Sequence, residues 1–433
     1  MKKIIFILLG SIITFNSLAQ QRLTLQDAVN TALKNSYDIQ LFKNALDIST
    51  INNNIGIAGG LPTVTATAND NEQLSNINQK FSDATRNAQQ SGVTANILTA
   101  NVTGSMLLFN GYRVVATKKR LAQLQQQSNS LLNVQIQSTI AGVITKYYDV
   151  VRQQSFLKTI LQSNEVSKQR LSIIQSRKDV GLSNNADLFQ AQLDVNALVQ
   201  QQQAQQLVID LAKTDLLNLL SAKPDSAIVI NDTIIVNNNI SLENIKAAIK
   251  SNPQILAAEQ QITINELIEK ETAALRYPTV RANTGYNFSN NKTEGGFARL
   301  NQSYGPFIGV SLAIPIYSGG IIKRQEKIAS INTTAAATQR NILLLNFEAR
   351  AVRSFQAYKN TLQQLKTEQE NYQLAIKLLD LVLQRFQLGQ ATIIDVKLAQ
   401  QTFENEGYRL INLSYAAKAA EISLQQIANQ LTF

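Results

Sequence analysis

The 433-residue chain contains no cysteine, no histidine and no tryptophan, and only 6 prolines. Without thiol or imidazole groups it cannot form disulfides, most zinc sites or a Ser-His-Asp triad, so carboxylates are the main catalytic groups left. No carboxylate pair stands out at a turn where both groups could act on one substrate. The sequence therefore disfavours an enzyme, and it predicts no metal and no other cofactor.

Charge is scattered along the chain, with 40 basic and 30 acidic residues. No block of lysine and arginine is interleaved with aromatic residues. The run Lys118-Lys119-Arg120 fits within one helical turn, and we expect it to be a solvated helix face. Nucleic acid is therefore not an expected partner.

Long apolar runs are also missing, since none reaches the 18 or more residues of a membrane-spanning helix. Residues 1–19 instead have the organisation of a secretory signal, with two lysines, a short apolar stretch and the cleavage motif Ser17-Leu18-Ala19. Cleavage would leave 38 basic and 30 acidic residues, a net charge of +8, and no cysteine for a lipid anchor. We expect an exported protein without a transmembrane helix.

The remaining sequence contains one pattern written twice. A Pro-Thr-Val strand start, an aromatic-x-Gly motif, a glycine turn and an aspartate all recur, the last three at an offset of 208 residues. The recurring pairs are Pro62 and Pro278, Gly111 and Gly319, Gly181 and Gly389, and Asp187 and Asp395. We interpret this as an internal duplication: a first repeat at 20–220, a connector at 221–239 and a second repeat at 240–433.

Each repeat is expected to contain a helix, two strands, a long helix and a return helix. The first helix should begin at Thr24, with Asp27 completing a capping box, and end before Pro62. Alternating apolar and polar residues predict the strands, joined by polar loops at about 70–92 and 290–303. The eight extra residues of the first repeat are assigned to the loop after Pro62, and the last strand is placed at Ser311 to Ile316.

The long helices follow the motifs at Gly111 and Gly319. Apolar residues recur there at spacings of three and four over the 70 residues to Gly181 and to Gly389. A continuous helix of that size would be about 105 Å long. Glycine turns should then reverse the chain into return helices at about 185–220 and 392–430.

Four strands cannot form a closed membrane barrel, because the smallest single-chain barrels use eight. Strand edges in lipid must be paired, so other copies of the chain would have to complete the barrel, two copies giving eight strands and three giving twelve. Polar residues such as Arg281, Asn283 and Asn287 would line its lumen. The alternative is a soluble β-domain on a coiled-coil stalk, an exported structural or adhesive protein without a pore.

The chain resembles TolC-type outer membrane efflux proteins in Ile314–Gly320, in its two strand starts and in the turn Arg385–Gly389 with Asp395. The resemblance implies a mostly α fold with a β-barrel portion: a long α-helical tunnel and a twelve-stranded barrel shared by a homotrimer. It implies the exit duct of a tripartite efflux or type I secretion system in the outer membrane of a Gram-negative bacterium, with a large periplasmic part. The implied partners are outer-membrane lipid, a periplasmic adaptor (membrane fusion) protein and an inner-membrane transporter.

The resemblance also identifies candidate sites. The adaptor would dock at the two turns Val180, Gly181, Leu182 and Leu388, Gly389, Gln390, whose glycines also permit a tight reversal. The periplasmic aperture would contain Asp395, Lys397 and Leu398, with Leu398 where relatives have a second acid. The joints between strands and long helices are Phe109, Gly111, Tyr317, Gly319 and Gly320.

Asp395 has a second interpretation, because Thr392-x-x-Asp395 and Asn184-x-x-Asp187 are both typical of helix starts. A pore role and a capping role for Asp395 both stay open. Phe386 occupies the position of a tyrosine that some relatives use as a hydrogen-bonded latch, so no hydroxyl latch is expected here.

Overall fold

A computed structural model describes residues 21–295 and 298–431 and is mostly helical with a small sheet. The expected signal segment, residues 1–19, lies outside the described residues. The helices are α1 (Leu25–Asn35), α2 (Tyr37–Asn52), α3 (Arg113–Asp179), α4 (Asn185–Leu219), α5 (Leu242–Ala248), α6 (Pro253–Ala273), α7 (Ile321–Gln387) and α8 (Ile393–Ile427). The strands are β1 (Gln21–Arg22), β2 (Thr63–Gln79), β3 (Ala88–Phe109), β4 (Ile228–Val229), β5 (Thr279–Thr293) and β6 (Leu300–Ala313).

The chain forms two compact units, and each takes segments from both halves of the sequence. Among the described residues, the helical unit consists of 21–41, Asn133–Asn252 and 345–431. The sheet unit consists of Phe42–Leu132 and Pro253–Leu344. The helices α3 and α7 begin in the sheet unit and end in the helical unit.

The helix lengths match in pairs. Both α3 and α7 have 67 residues, a path of about 100 Å at the usual helical rise. Both α4 and α8 have 35 residues. The starts of α7 and α8 follow those of α3 and α4 by 208 residues (321 from 113 and 393 from 185), the offset that the glycine turns show.

The sheet unit contains a four-stranded antiparallel sheet in the order β2-β3-β5-β6. Its register places apolar residues of all four strands on one face, because Val102 lies opposite Tyr286 and Tyr286 opposite Pro306. The apolar face includes Val64, Ala66, Ala68, Ala100, Met106, Val280, Ala282, Phe288, Tyr304, Ile308, Val310 and Leu312. The opposite face is polar and includes Thr65, Asn101, Thr103, Arg281, Asn283, Asn287 and Ser311.

Both edges of this sheet are open among the described residues, since neither β2 nor β6 has a second strand partner there. The apolar face is exposed as well, with Val64 at 72%, Val310 at 70% and Ile308 at 88% of their full accessibility. An exposed apolar face next to two open edges is a surface that requires a partner or a lipid environment.

The predicted loops were too long. The hairpin between β2 and β3 is paired as far as Gln79 and Ala88, and β5 and β6 are paired as far as Lys292 and Leu300. Hydrophobic alternation stops earlier, but backbone ladders do not depend on the polarity of the side chains. The extra residues of the first repeat therefore lie mainly in its strands, because β3 has 22 residues and β6 has 14.

Two other boundaries differ from the prediction. The first helix is interrupted at Ser36 and ends at Asn52, well before Pro62. The last strand ends at Ala313 and not at Ile316, because its partner β5 begins at Thr279, opposite Ala313. Pro315 also lacks the backbone N–H that would continue the ladder.

The helical unit is organised around an apolar core in which α1, α3, α4 and α8 take part. Val29 of α1, Val143 and Tyr147 of α3, and Leu216 of α4 are fully buried there. The Tyr147 hydroxyl donates to the carboxylate of Asp232, and its oxygen lies 3.2 Å from the carbonyl of Leu23. Burial, followed by the Asp232 hydrogen bond, raises the pKa of this phenol.

The expected connector at 221–239 is thus attached to α3 through Asp232, and it carries β4, which pairs with β1 in parallel. The capping box of α1 is present as predicted, with Thr24 Oγ1 accepting from the Asp27 amide at 3.1 Å. None of the described helices has an 18-residue stretch apolar enough to cross a membrane.

Candidate functional site

The first candidate turn joins α3 to α4 in the helical unit. Leu182 N donates to Arg177 O at 2.7 Å, and Gly181 N donates to Lys178 O at 2.9 Å. This pair of bonds is a Schellman motif, which satisfies the free carbonyls at a helix end. Gly181 has a φ of +80°, a left-handed conformation that glycine adopts without steric cost.

The second turn, between α7 and α8, repeats this geometry. Gln390 N donates to Arg385 O at 2.8 Å, Gly389 N donates to Phe386 O at 3.1 Å, and Gly389 has a φ of +76°. Two Schellman turns at equivalent positions explain why a glycine stands at both, so the structural role assigned to the glycines is present in each.

A shared apolar cluster holds the two turns together. Phe386 is 1% exposed and packs with Ile174, Leu188 and Val396, which come from α3, α4 and α8. The guanidinium of Arg177 lies 4.5 Å from the centre of the Phe386 ring and also donates to the Phe386 carbonyl. Phe386, where no hydroxyl latch was expected, is therefore a buried residue that packs against both pairs of helices.

Above this cluster the turns expose apolar side chains. Val180, Leu182 and Leu388 are 70%, 78% and 74% exposed, and Gln390 is exposed beside them. Exposed leucines on a rigid turn offer a surface for a protein partner. The six predicted docking residues thus lie on two neighbouring turns with the same backbone geometry.

Asp395 is part of a capping box at the start of α8. Its Oδ2 accepts from the backbone N and from the Oγ1 of Thr392, each at 2.8 Å, and its own amide donates to Thr392 Oγ1 at 3.2 Å. These hydrogen bonds, the backbone bond first, hold the pKa of Asp395 below its usual value. The capping role is present, and the exposed carboxylate stays ionised and available for a pore role.

The two other aperture residues differ in their surroundings. Leu398 is 63% exposed. Lys397 is not free, because its Nζ lies 3.2 Å from Asp194 Oδ1 on α4. Asp194 also accepts from Arg170 Nη2 at 2.5 Å, so one carboxylate joins cations of α3 and α8.

Arg170 is a buried residue that the apolar pattern of α3 did not indicate. Its side chain is 1% exposed, and two of its nitrogens, Nε and Nη1, have no hydrogen-bond partner in the described chain. Ser163 and Ser167 of the same helix face are completely buried and contact Gln400 of α8, whose Nε2 donates to them at 2.6 and 3.0 Å. Polar side chains therefore occupy a stretch of the α3–α8 interface where apolar packing is usual.

A sequence signal for this stretch exists. The buried positions Ile160, Ser163, Ser167, Arg170 and Ile174 follow one another at spacings of three and four, which places them on one helix face. Apolar residues at both ends and polar residues in the middle indicate a buried polar segment, and a search for apolar periodicity alone overlooks it.

The strand–helix joints lie in the sheet unit. Phe109 is the last residue of β3, and Gly111 has a φ of +68° where the chain enters α3. A Cβ on Gly111 would lie 2.6 Å from the Cβ of Tyr277, so any other residue there would force Tyr277 to shift. At the second joint Tyr317 is 88% exposed and Gly319 and Gly320 both have positive φ.

Known proteins with a similar sequence are outer membrane and secretion proteins. Residues 244–430 match the family model described as outer membrane efflux protein. Outer membrane protein TolC of Vibrio cholerae is 22% identical over 319 residues, which are 71% of either chain. The proteases secretion protein PrtF of Dickeya chrysanthemi is 20% identical over 98% of this chain and 92% of its own. In sequence, the chain is thus similar to TolC-type outer membrane efflux proteins.

The TolC-type fold is also visible in solved structures. The Campylobacter jejuni CmeC outer membrane channel superposes with a TM-score of 0.75, covering 94% of this chain and 85% of its own at 17% identity. The matched family model and the TolC relatives are described as outer membrane proteins.

Proposed function

We propose that the chain is the outer-membrane exit duct of a tripartite efflux or type I secretion system, with no catalytic step of its own. The observation that carries this is the exposed apolar face of the sheet between two open edges. Apart from Thr284, the side chains on this face of β5 are apolar from Val280 to Phe288, close to the roughly 9–11 residues of a membrane-spanning strand.

Closure of the barrel requires further copies. We propose that β6 of one copy pairs with β2 of the next, so that no edge meets lipid. Two copies would give eight strands, and an interior of that size is filled by its own side chains. Three copies give twelve strands and leave a passage, which agrees with the homotrimer that the resemblance implies.

The helices would continue the passage as a tunnel. The equal lengths of α3 and α7, and of α4 and α8, support a duplication in which the repeats 20–220 and 240–433 contribute equivalent wall segments. The connector 221–239 would join them. The matched lengths support two turns at equivalent positions of the repeats, which a rim built from both would require.

The proposed protein partners meet the duct at its turns. A periplasmic adaptor would dock on the apolar side chains of Val180, Leu182 and Leu388. An inner-membrane transporter, reached through that adaptor, would select the cargo. Asp395 would narrow the aperture as an exposed, ionised carboxylate at the same turn.

Bilayer recordings test the duct itself. The purified protein should form ion-conducting pores in planar bilayers, and unheated samples should migrate on gels as a species distinct from heated ones. Absence of both conductance and heat-modifiable migration would contradict the duct and favour a structural or adhesive coiled-coil protein.

The docking turns are tested by Leu182→Asp and Leu388→Asp. Both side chains are exposed, so the variants should fold and conduct while export in cells falls sharply. Ile235→Asp is the matched control, because Ile235 is 73% exposed in the connector. Normal export with both turn variants would remove the docking role.

The two roles of Asp395 are separated by Thr392→Ala and Asp395→Ala. Thr392→Ala removes the cap and keeps the charge, which should destabilise the helix start by about 1 kcal/mol and leave ion selectivity unchanged. Asp395→Ala removes both the cap and the negative charge, so it should also lower the preference of the pore for cations. Equal selectivity in the two variants would reduce Asp395 to a cap.

A further inference from the structure

A positively charged cavity lies in the sheet unit where the polar face of the sheet meets the start of α3. The cavity has a volume of about 360 Å³, and its lining includes three arginines, Arg113, Arg120 and Arg281, against one acid, Glu271. Hydroxyl groups of Thr63, Ser105 and Thr117 also line it. Arg281 and Ser105 belong to the polar face, which the proposed duct turns toward its lumen.

The three arginines are not equivalent. Arg120 Nε donates to Glu271 Oε1 at 2.7 Å, so this pair is neutral, and the expectation that Lys118-Lys119-Arg120 is a solvated face is wrong for Arg120. Lys118 is also engaged, since it donates to Asn53. Arg113 and Arg281 are exposed and have no ion pair or hydrogen bond within the described chain. The cavity therefore contains two uncompensated positive charges.

The start of α3 adds to this positive potential. Free N–H groups at a helix N-terminus carry about half a positive charge, so acids are preferred there and basic residues are unfavourable. The first turn of α3 contains no acid, and Arg113 is its first residue. The Asn110 side chain accepts from Val114 N at 3.4 Å, which is a long bond and leaves the potential largely unopposed. Arrangements of this kind are stabilised by a bound anion.

We propose that this cavity is a binding site for oxyanion groups, carboxylate or phosphate, of cargo passing through the duct. Arg113 and Arg281 would bind the anion through their guanidinium donors, which match the two oxygens of such groups. The hydroxyls of Ser105 and Thr117 would supply further donors. The proposal rests on the duct function, and it predicts that the strand–helix joint favours anions over cations.

The test uses the complete protein in planar bilayers under a KCl gradient. In the Arg113→Gln/Arg281→Gln variant the chloride-to-potassium permeability ratio should fall by about threefold or more, the effect of a unit charge acting across several ångströms of water. Inorganic phosphate, used as the probe, should reduce chloride current in the wild type and have a weaker effect on the variant. Lys119→Gln is the matched control, because it removes an exposed charge of α3 that does not line the cavity.

Every outcome is decisive. If the double variant keeps the permeability ratio and the phosphate response of the wild type, the site is overturned and the duct still stands. If the wild-type protein does not conduct, the duct is overturned. If the double variant loses its unheated oligomer band, the arginines pair with an acid of a second copy, and the cargo site is wrong. A change in the double variant with an equal change in Lys119→Gln would also overturn the site, since only general charge would then matter.

Discussion

Glu368 allows a quantitative prediction of how stability depends on pH. Its side chain, on α7, is 5% exposed, and Glu368 Oε1 and Glu406 Oε2 of α8 are both buried without a donor in the described chain. Arg409 Nη1 lies 3.9 Å from Glu368 and 3.7 Å from Glu406, too far for a hydrogen bond. Burial, and then the hydrogen bond and charge of Glu406, raise the pKa of Glu368 to about 7. A proton held between the two carboxyls supplies the missing donor.

The sign follows from proton binding. An acid whose pKa is higher in the folded state binds more protons there than in the unfolded chain, so stability falls as pH rises between the two values. For Glu368 the decline should begin near its ordinary pKa of 4.5 and be complete above about 7. A difference of roughly 2.5 pKa units corresponds to about 3 kcal/mol per chain. No histidine is present to titrate in the same range.

The measurement is guanidinium unfolding, followed by circular dichroism, between pH 5 and 8.5. The unfolding free energy of the wild type should decrease across this range, while Glu368→Gln, whose amide donates to Glu406 at every pH, should give a nearly constant value. Glu370→Gln is the matched control, because Glu370 is an exposed carboxylate two residues away on α7.

Two results would refute this reasoning. A wild-type unfolding free energy that is constant from pH 5 to 8.5 would mean that Glu368 ionises normally in the folded chain. An equally constant profile for Glu370→Gln would mean that the pH dependence arises from general surface charge.

Two further predictions concern the joint and the buried arginine. Gly111→Ala should destabilise the chain by clearly more than Gly59→Ala. Both glycines have positive φ, but a Cβ at Gly111 would collide with Tyr277, while one at Gly59 meets nothing within 4 Å. Equal losses of stability in thermal melts would exclude the clash. Arg170→Met should cost about 3 kcal/mol, because it leaves Asp194 with one cation, and adding Asp194→Leu should recover part of that loss. A double variant as unstable as the sum of the single changes would contradict this coupling.

Much of the helical architecture could be predicted from the sequence because its signals are local. The capping box of Thr24, the turn glycines Gly181 and Gly389, and the apolar spacing of the long helices each act within a few residues. The equal helix lengths could be predicted for the same reason, since the turn motifs recur at a constant offset.

The boundaries and contacts that the sequence did not reveal depend on partners distant in the chain. The polar ends of β2 and β3 are held by backbone pairing, which side-chain alternation does not report. Arg120 is partly buried and ion-paired only because Glu271, 151 positions away, lies beside it. Likewise, the three-helix ion network around Asp194 and the carboxyl pair of Glu368 exist only after the helices have packed.

The charges that matter for a duct are the unpaired ones, and the structure separates them from the rest. Arg120 is matched by Glu271, and Arg170 and Lys397 share the carboxylate of Asp194, so these ion pairs hold helices together and offset part of the positive charge. Arg113 and Arg281 have no such match within the described chain. The exposed charges comprise Arg113 and Arg281 in the sheet unit and Asp395 at the start of α8 in the helical unit. Ion preference would then be set by exposed charges such as these, and the net charge of the chain would not predict it.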